Sequence, residues 1–423
     1  MKDNDAGFFD VIYSPEFEAA WQRIIDEPVT YDEFCAMPLP PGVDRHDLWG
    51  ALSLLKRCMG ESNDLTPWFL GVSNDLCWSY TPKSVERDLF ELSSLISPAS
   101  LLNAHIRSQD ALNPVILENI VDEVASVARR DGLPLNRDTV RELWILGRHP
   151  HNKYELIIQN AKDLFAKVPV LAKRKYSALL ADDIHDELMH GAEDVSLIRK
   201  LHFESQYYDL SRVNDPVIAE NALHSCLAQA NDAASLRDIV LAAVLTANVL
   251  WDVSAWPTCN ALTEFLLRSV LFARKNVPAL SYIPLSSKDT AGKEGFGKMH
   301  ERESRNTHSQ GLDSTWLYAG QVKILLEGAR DLLSKIQQLE NEDARVRDKI
   351  EDVPWLNFRQ KNLLLALRRA PHRFARIKDY ADGNKIAYAT ARQDLLELEE
   401  HGLLVKEKHE RTFAYRLSHR INW

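Results

Sequence analysis

The feature that most constrains the fold of this chain is a succession of segments in which apolar residues recur every three or four positions. Ala111 to Arg130, Lys153 to Phe165, Ala178 to Met189, Pro216 to Ala230, Ser235 to Leu250, Leu262 to Arg274 and Ser314 to Leu339 all carry this spacing. It lays an apolar stripe along an α-helix and would scatter the same residues over both faces of a strand. Before residue 111 the pattern is less regular. Turn signals stand at Pro38 to Pro41, Pro67 and Pro82, and Trp78-Ser79-Tyr80-Thr81-Pro82 reads as a short strand or hairpin leading into a helix near Val85 to Leu95. A mainly α fold follows, with other strands expected only near the C-terminus.

A chain of 423 residues is long enough for two or three domains. The pattern divides it into an N-terminal region (1–110), a helical domain (111–345) and a C-terminal module (351–423). The longest apolar runs, Ile239 to Leu245 and Leu363 to Leu367, fall far short of the roughly 18 residues of a membrane span, so no membrane association is expected. The opening MKDNDAGFFDVIYSPEF carries acids where a secretory signal would carry basic residues, and a cytoplasmic protein is expected.

The cysteines, Cys35, Cys58, Cys77, Cys226 and Cys259, are odd in number and lack a CxxC pair. That excludes a disulfide framework or zinc ribbon and predicts free thiols. Cys259 stands out because a thiol at a helix N-terminus can have a lowered pKa. His185 and His190 lie five apart, about 140° around a helix, without the HExxH arrangement of a metal site. They read as helix-surface residues, and no metal is expected. Gly292, Gly297 and Lys298 satisfy GxxxxGK, but Met299 replaces the Mg²⁺-binding Ser or Thr and no buried strand feeds the loop, so a flexible polar loop is the better reading.

Between Trp251 and Phe272 the chain reads WDVSAWPTCNALTEFLLRSVLF. A helix ends, a short Pro-containing loop follows, and Asn260 stands where an N-cap would open an amphipathic helix. The layout resembles the active centre of the Fic family of protein AMP-transferases, whose motif is HPFxxGNGRxxR. On that motif Ser254 takes the place of the catalytic His, Ala255 and Trp256 replace Pro-Phe, and Cys259 and Ala261 replace the glycines. Asn260 is retained, and Leu262 and Phe265 replace the arginines. In the family the His is the general base on the target hydroxyl, while the glycine backbone and arginines hold nucleotide phosphates. Losing a general base costs about 10²- to 10⁴-fold, and losing one charge-stabilising donor roughly another 10²- to 10³-fold. No catalytic residue and no cofactor are therefore expected.

Upstream, Asn113 to Leu164 resembles the family segment that carries an inhibitory SxxxE(G/N) motif and a GRxP turn. Gly147, Arg148 and Pro150 match the turn. Val127 and Asp131-Gly132 stand at the inhibitory motif, with Asp131 at the position of the Glu that pairs with the second arginine. Ser281 to Ser286 keeps the family spacing, and Phe203 to Asp215 falls where the family has a target-docking flap.

The last seventy residues give a second signal. Asn357 can cap a helix carrying Leu363, Leu364 and Leu367. A second helix runs from about Ala375 to Asp382 with a turn at Gly383-Asn384, and a third from about Tyr388 to His401. Two strands follow, Leu403 to Val405 and Phe413 to Leu417, joined at Glu407 to Arg411. This reads as a winged helix-turn-helix and resembles the module that ends a large bacterial subfamily of Fic proteins. Residues 351–423 hold 14 Lys/Arg against 10 Asp/Glu, net +4, which leaves 37 against 51, net −14, for the rest. A DNA-binding tail on an acidic body fits that asymmetry. Lys385, Tyr388, Thr390, Arg392 and Gln393 would face the major groove, and Lys406, Lys408 and Arg411 would meet phosphate.

Two functional readings result. In one, the chain is a Fic-fold pseudoenzyme acting as a regulator or scaffold, with a protein partner for its body and DNA at its winged helix. In the other it is a protein AMP-transferase or related nucleotidyltransferase with non-standard residues, requiring ATP and Mg²⁺. A homodimer stays open in both.

Overall fold

The computed structural model describes residues 13–38, 44–63, 77–107, 114–195, 216–248, 250, 255–286, 313–369, 374–409 and 412–418. Among them are sixteen α-helices and two small antiparallel sheets, so the chain is mainly helical. The helices divide into two compact units, residues 1–107 with 118–330 and residues 108–117 with 331–423. The expected division between 345 and 351 lies within one continuous helix, Thr315–Glu351. No proline interrupts that stretch before Pro354.

The first unit opens with α1 (Pro15–Asp26), α2 (Tyr31–Cys35) and α3 (Arg45–Met59). Ser14, Thr30 and Asp44 cap them by accepting hydrogen bonds from first-turn amides. Strand β1 (Glu61–Asn63) pairs with β2 (Cys77–Ser79), which leads into α4 (Lys83–Ile96) as the Trp78 to Pro82 pattern predicts. Phe17, Ile24, Phe34, Trp49, Leu52, Trp78, Tyr80 and Trp316 form the core of this region. Within it, buried Lys56 pairs with Asp313 at 3.1 Å and lies 4.3 Å from the Trp49 ring centre. Burial lowers the Lys56 pKa, and the Asp313 carboxylate partly offsets this.

After α5 (Leu101–Arg107) come α6 (Pro114–Arg130), α7 (Arg137–Trp144), α8 (Lys153–Leu171), α9 (Ala178–Met189), α10 (Pro216–Asp232), α11 (Leu236–Asn248) and α12 (Asn260–Arg274). Every residue of α12 from Asn260 to Phe272 is buried. The amphipathic helix expected there is thus a central one, packed on all sides. Its hydroxyls are satisfied within the helix: Thr263 donates to Cys259 O and Ser269 to Phe265 O, each at 2.8 Å. Long α13 (Thr315–Glu351) ends the body.

The second unit combines the last turns of α13 with α14 (Phe358–Arg369), α15 (Ile377–Asn384), α16 (Tyr388–Glu400), β3 (Leu404–His409) and β4 (Thr412–Leu417). Val346, Ile350, Leu364, Leu367, Leu395, Leu398 and Tyr415 share its core. Asn357 caps α14 as expected, accepting from Gln360 N at 2.9 Å. The turn between α15 and α16 is made by Lys385, which adopts a left-handed conformation (φ 52°). Gly383 and Asn384 instead remain helical, two residues beyond the expected end. Asp394 ties the three helices together, accepting from Asn357 Nδ2 at 2.9 Å, Arg359 Nε at 3.0 Å and Tyr380 OH at 3.2 Å.

Candidate functional site

The end of α6 meets the beginning of α12. Gly132, with φ 83°, turns the chain out of α6, its amide bonding Arg129 O while the Leu133 amide bonds Ala128 O. This glycine-based helix stop leaves Asp131 as the final cap residue. Its Oδ1 accepts from Ala261 N at 2.9 Å and its Oδ2 from Leu262 N at 2.8 Å. Those are two of the four amides that a helix start leaves unpaired, at its positive end. The residue that precedes α12, Cys259, makes no side-chain cap bond. Asp131 therefore caps α12 from 130 residues away in sequence.

The loop before α12 is closed by Asn260, whose Oδ1 accepts from Trp256 N at 3.1 Å and whose Nδ2 donates to Trp256 O at 2.7 Å. Asn260 is the first helical residue, one place later than the cap position expected for it. Cys259 adopts φ 57°, a left-handed conformation natural to glycine and costly for other residues. Its thiol is buried, and burial together with the Asp131 charge pushes its pKa up. The lowered pKa considered for it is overturned: desolvation outweighs the helix end.

Leu262 is fully buried, and Phe265 stacks on Phe165 with ring centres 5.5 Å apart and planes 6° from parallel. An arginine at either position would be buried. Ser254 lies outside the described residues, as do Phe203 to Asp215, the GxxxxGK loop and Arg411. In the Gly147-Arg148-Pro150 turn, Gly147 has φ 68° and Arg148 bridges Glu142 at 2.8 Å and Glu155 at 3.0 Å. Ser286 binds α6 twice, its carbonyl accepting from Ser126 Oγ at 2.7 Å and its amide donating to Glu123 Oε2 at 2.6 Å.

Two features escaped the sequence reading. Buried Arg268 donates to Glu123 Oε1 at 2.7 Å and Glu264 Oε1 at 2.8 Å. With two carboxylates and one guanidinium, burial raises the Glu264 pKa to about 7, offset in part by Arg268, and Glu264 Oε2 has no hydrogen-bond partner. The second feature is His185, which is buried rather than on the surface. Its ring stacks on Trp256 at 4.7 Å and its Nδ1 lies 3.2 Å from Thr263 Oγ1. Burial lowers its pKa to about 4. His190 is exposed as expected. Period alone placed the two on different sides of α9, and only the neighbours decide which side faces inward.

In the second unit Lys385, Tyr388, Thr390, Arg392, Gln393, Lys406 and Lys408 are all exposed. Lys406 Nζ sits 4.7 Å from the Phe413 ring centre across the β3–β4 pair.

No helix among the described residues is long and apolar enough to cross a membrane. No group of three or more His, Cys, Asp or Glu among them is placed to hold a metal ion. No family model and no curated protein matches the chain. Among solved structures, it is similar to a Fic family protein from Desulfovibrio desulfuricans G20, with a TM-score of 0.47 and 14% identity, over 80% of this chain and 97% of that one.

Proposed function

We propose that this protein is a Fic-fold pseudoenzyme: a regulator or scaffold whose helical body no longer transfers AMP and whose C-terminal winged helix contacts DNA. The observation that carries the first half is the seat of Asp131. A helix N-terminus reached by a glycine-like turn is a natural phosphate site, and here a carboxylate of the same chain holds the Ala261 and Leu262 amides. Leu262 and Phe265, buried in the core, offer no charge to a nucleotide, and no ATP or Mg²⁺ requirement follows. The transferase alternative lacks a phosphate ligand at each of these positions. A protein partner is the remaining role for the acidic body.

The DNA reading rests on the exposed start of α16 and on Lys406 and Lys408, in a module of net charge +4. Selection of full-length protein against a random DNA pool tests it. Wild type should enrich a sequence, binding should weaken with salt, and a K406A/K408A variant should lower affinity across all sequences while reducing the salt slope by about two charges. R392A/Q393A should instead relax sequence preference. Failure to enrich any sequence would assign the module to protein docking.

A further inference from the structure

A cleft of about 620 Å³ lies beside the loop that precedes α12, lined by His185, Asp186, Met189, His190, Glu193, Asp194, Val195, Pro257 and Thr258. Its volume is in the range of ligand sites, and carboxylates predominate among its polar groups.

The protonation of His185 follows from its neighbours. Thr263 Oγ1 has a single proton and gives it to Cys259 O at 2.8 Å. Its contact with His185 Nδ1 at 3.2 Å therefore needs the proton on the ring, as Nδ1–H. In a neutral imidazole the other nitrogen is then a bare acceptor. No hydrogen bond to Nε2 is seen among the described residues, and His185 lines the cleft. The side chain is only 7% exposed and its ring is clamped on Trp256, which fixes the direction of that lone pair. Trp256 is itself held by its Nε1 donating to Asp182 at 3.2 Å.

The rim adds acceptors. Asp186 is exposed, Glu193 accepts from Gly191 N at 2.8 Å, and Asp194 pairs with Lys153. Glu193 and Asp194 are held below the usual carboxylate range, chiefly by backbone amides at Glu193 and by Lys153 at Asp194. Asp186, Glu193, Asp194 and the Nε2 of His185 are acceptors; of the other polar lining groups, Thr258 Oγ1 donates to Met189 Sδ at 3.8 Å and His190 Nδ1 lies 3.8 Å from Glu193, while Met189, Val195 and Pro257 supply apolar wall. The complementary group is all donor, positively charged and carried on an apolar stem, which describes an arginine or lysine side chain.

We propose that this cleft is a recognition pocket for a basic side chain of a partner protein, with His185 Nε2 accepting a hydrogen bond from the incoming guanidinium or ammonium and Asp186 and Glu193 balancing its charge. The inference goes beyond the pseudoenzyme reading and does not require the α12 N-terminus to be closed.

The test uses full-length protein labelled with ¹⁵N-histidine and three probes: the peptide acetyl-Gly-Ala-Arg-Ala-Gly-amide, the same peptide with citrulline for arginine, and N-acetyl-arginine amide. His185 should show the Nδ1–H tautomer, and its Nε2 resonance should move saturably with the arginine peptide but not the citrulline one. His185→Phe keeps a ring against Trp256 and should weaken binding about 10- to 100-fold, the loss of one hydrogen bond to a charged group. The exposed change Asp186→Asn, which touches no core, should weaken binding and reduce its salt dependence. Equal binding of arginine and citrulline peptides, unchanged affinity in both variants, or no saturable shift at millimolar peptide would each overturn the proposal. N-acetyl-arginine amide binding as tightly as the peptide would overturn the protein-partner assignment in favour of a small cationic ligand.

Discussion

Replacing Asp131 with Ala should both destabilise the body and open an anion site. The carboxylate holds Ala261 N and Leu262 N at 2.9 and 2.8 Å, and Asp131 is half-buried. Loss of an Asp cap costs about 0.5–2 kcal/mol, and loss of a negative charge at a helix N-terminus about 0.3–1 kcal/mol more. The same charge sits at the C-terminal end of α6, where it is unfavourable, so the net loss should be about 2 kcal/mol. For a domain of this size that lowers Tm by about 4–8 °C. Asp131→Asn, which retains one acceptor, should lose about half as much. The vacated amides should then take inorganic phosphate: at ten times its Kd the gain is about 1.4 kcal/mol, or roughly 3–6 °C. Thermal unfolding of wild type and both variants, with and without phosphate at constant ionic strength, measures all of this. Equal Tm values for wild type and D131A, or equal phosphate stabilisation of both, would show that Asp131 does not cap α12.

Other expectations follow from the buried groups. Glu264, raised from 4.5 to about 7, is costly to ionise in the native state. The cost is absent below its unfolded pKa, grows as pH rises towards 7 and then levels off, reaching at most about 3 kcal/mol. Glu264→Gln should match wild type near pH 4 and exceed it in chemical denaturation at pH 8; a less stable variant at pH 8 would contradict the assignment. Arg268→Met, which strands two carboxylates, should cost about 3–5 kcal/mol at neutral pH. In native protein a thiol reagent should label exposed Cys58 and leave buried Cys259 untouched, and comparable labelling rates would show that the α12 N-terminus is open.

Much of the fold was legible in the sequence because apolar spacing is a local signal. The spacing in Lys153 to Phe165 and Ala178 to Met189 lies within α8 and α9, and Asn357 caps the helix it precedes. The resemblance pairs the Asp131 position with that of Phe265, where no arginine remains; the bonds Asp131 makes instead to the first-turn amides of α12 were not legible, because no local pattern connects residues 130 apart. Periodicity could not show that Thr263, Glu264 and Arg268 lie inside, since their burial depends on partners such as Glu123 on another helix. The same limit hid His185, whose inward position is set by Trp256 and Thr263. At Lys385 a non-glycine residue takes the left-handed turn while Gly383, two residues earlier, stays helical; Tyr380 and Ala381 of the same helix lie in the core.

Loss of AMP transfer from the body is tested by assaying transfer itself. Full-length protein is incubated with Mg²⁺ and ATP labelled at the α-phosphate, in a whole-cell lysate, and proteins are resolved for covalent label. No labelled protein is expected beyond a control without the chain. A labelled band that depends on wild-type protein and disappears with Asn260→Ala would contradict the pseudoenzyme reading.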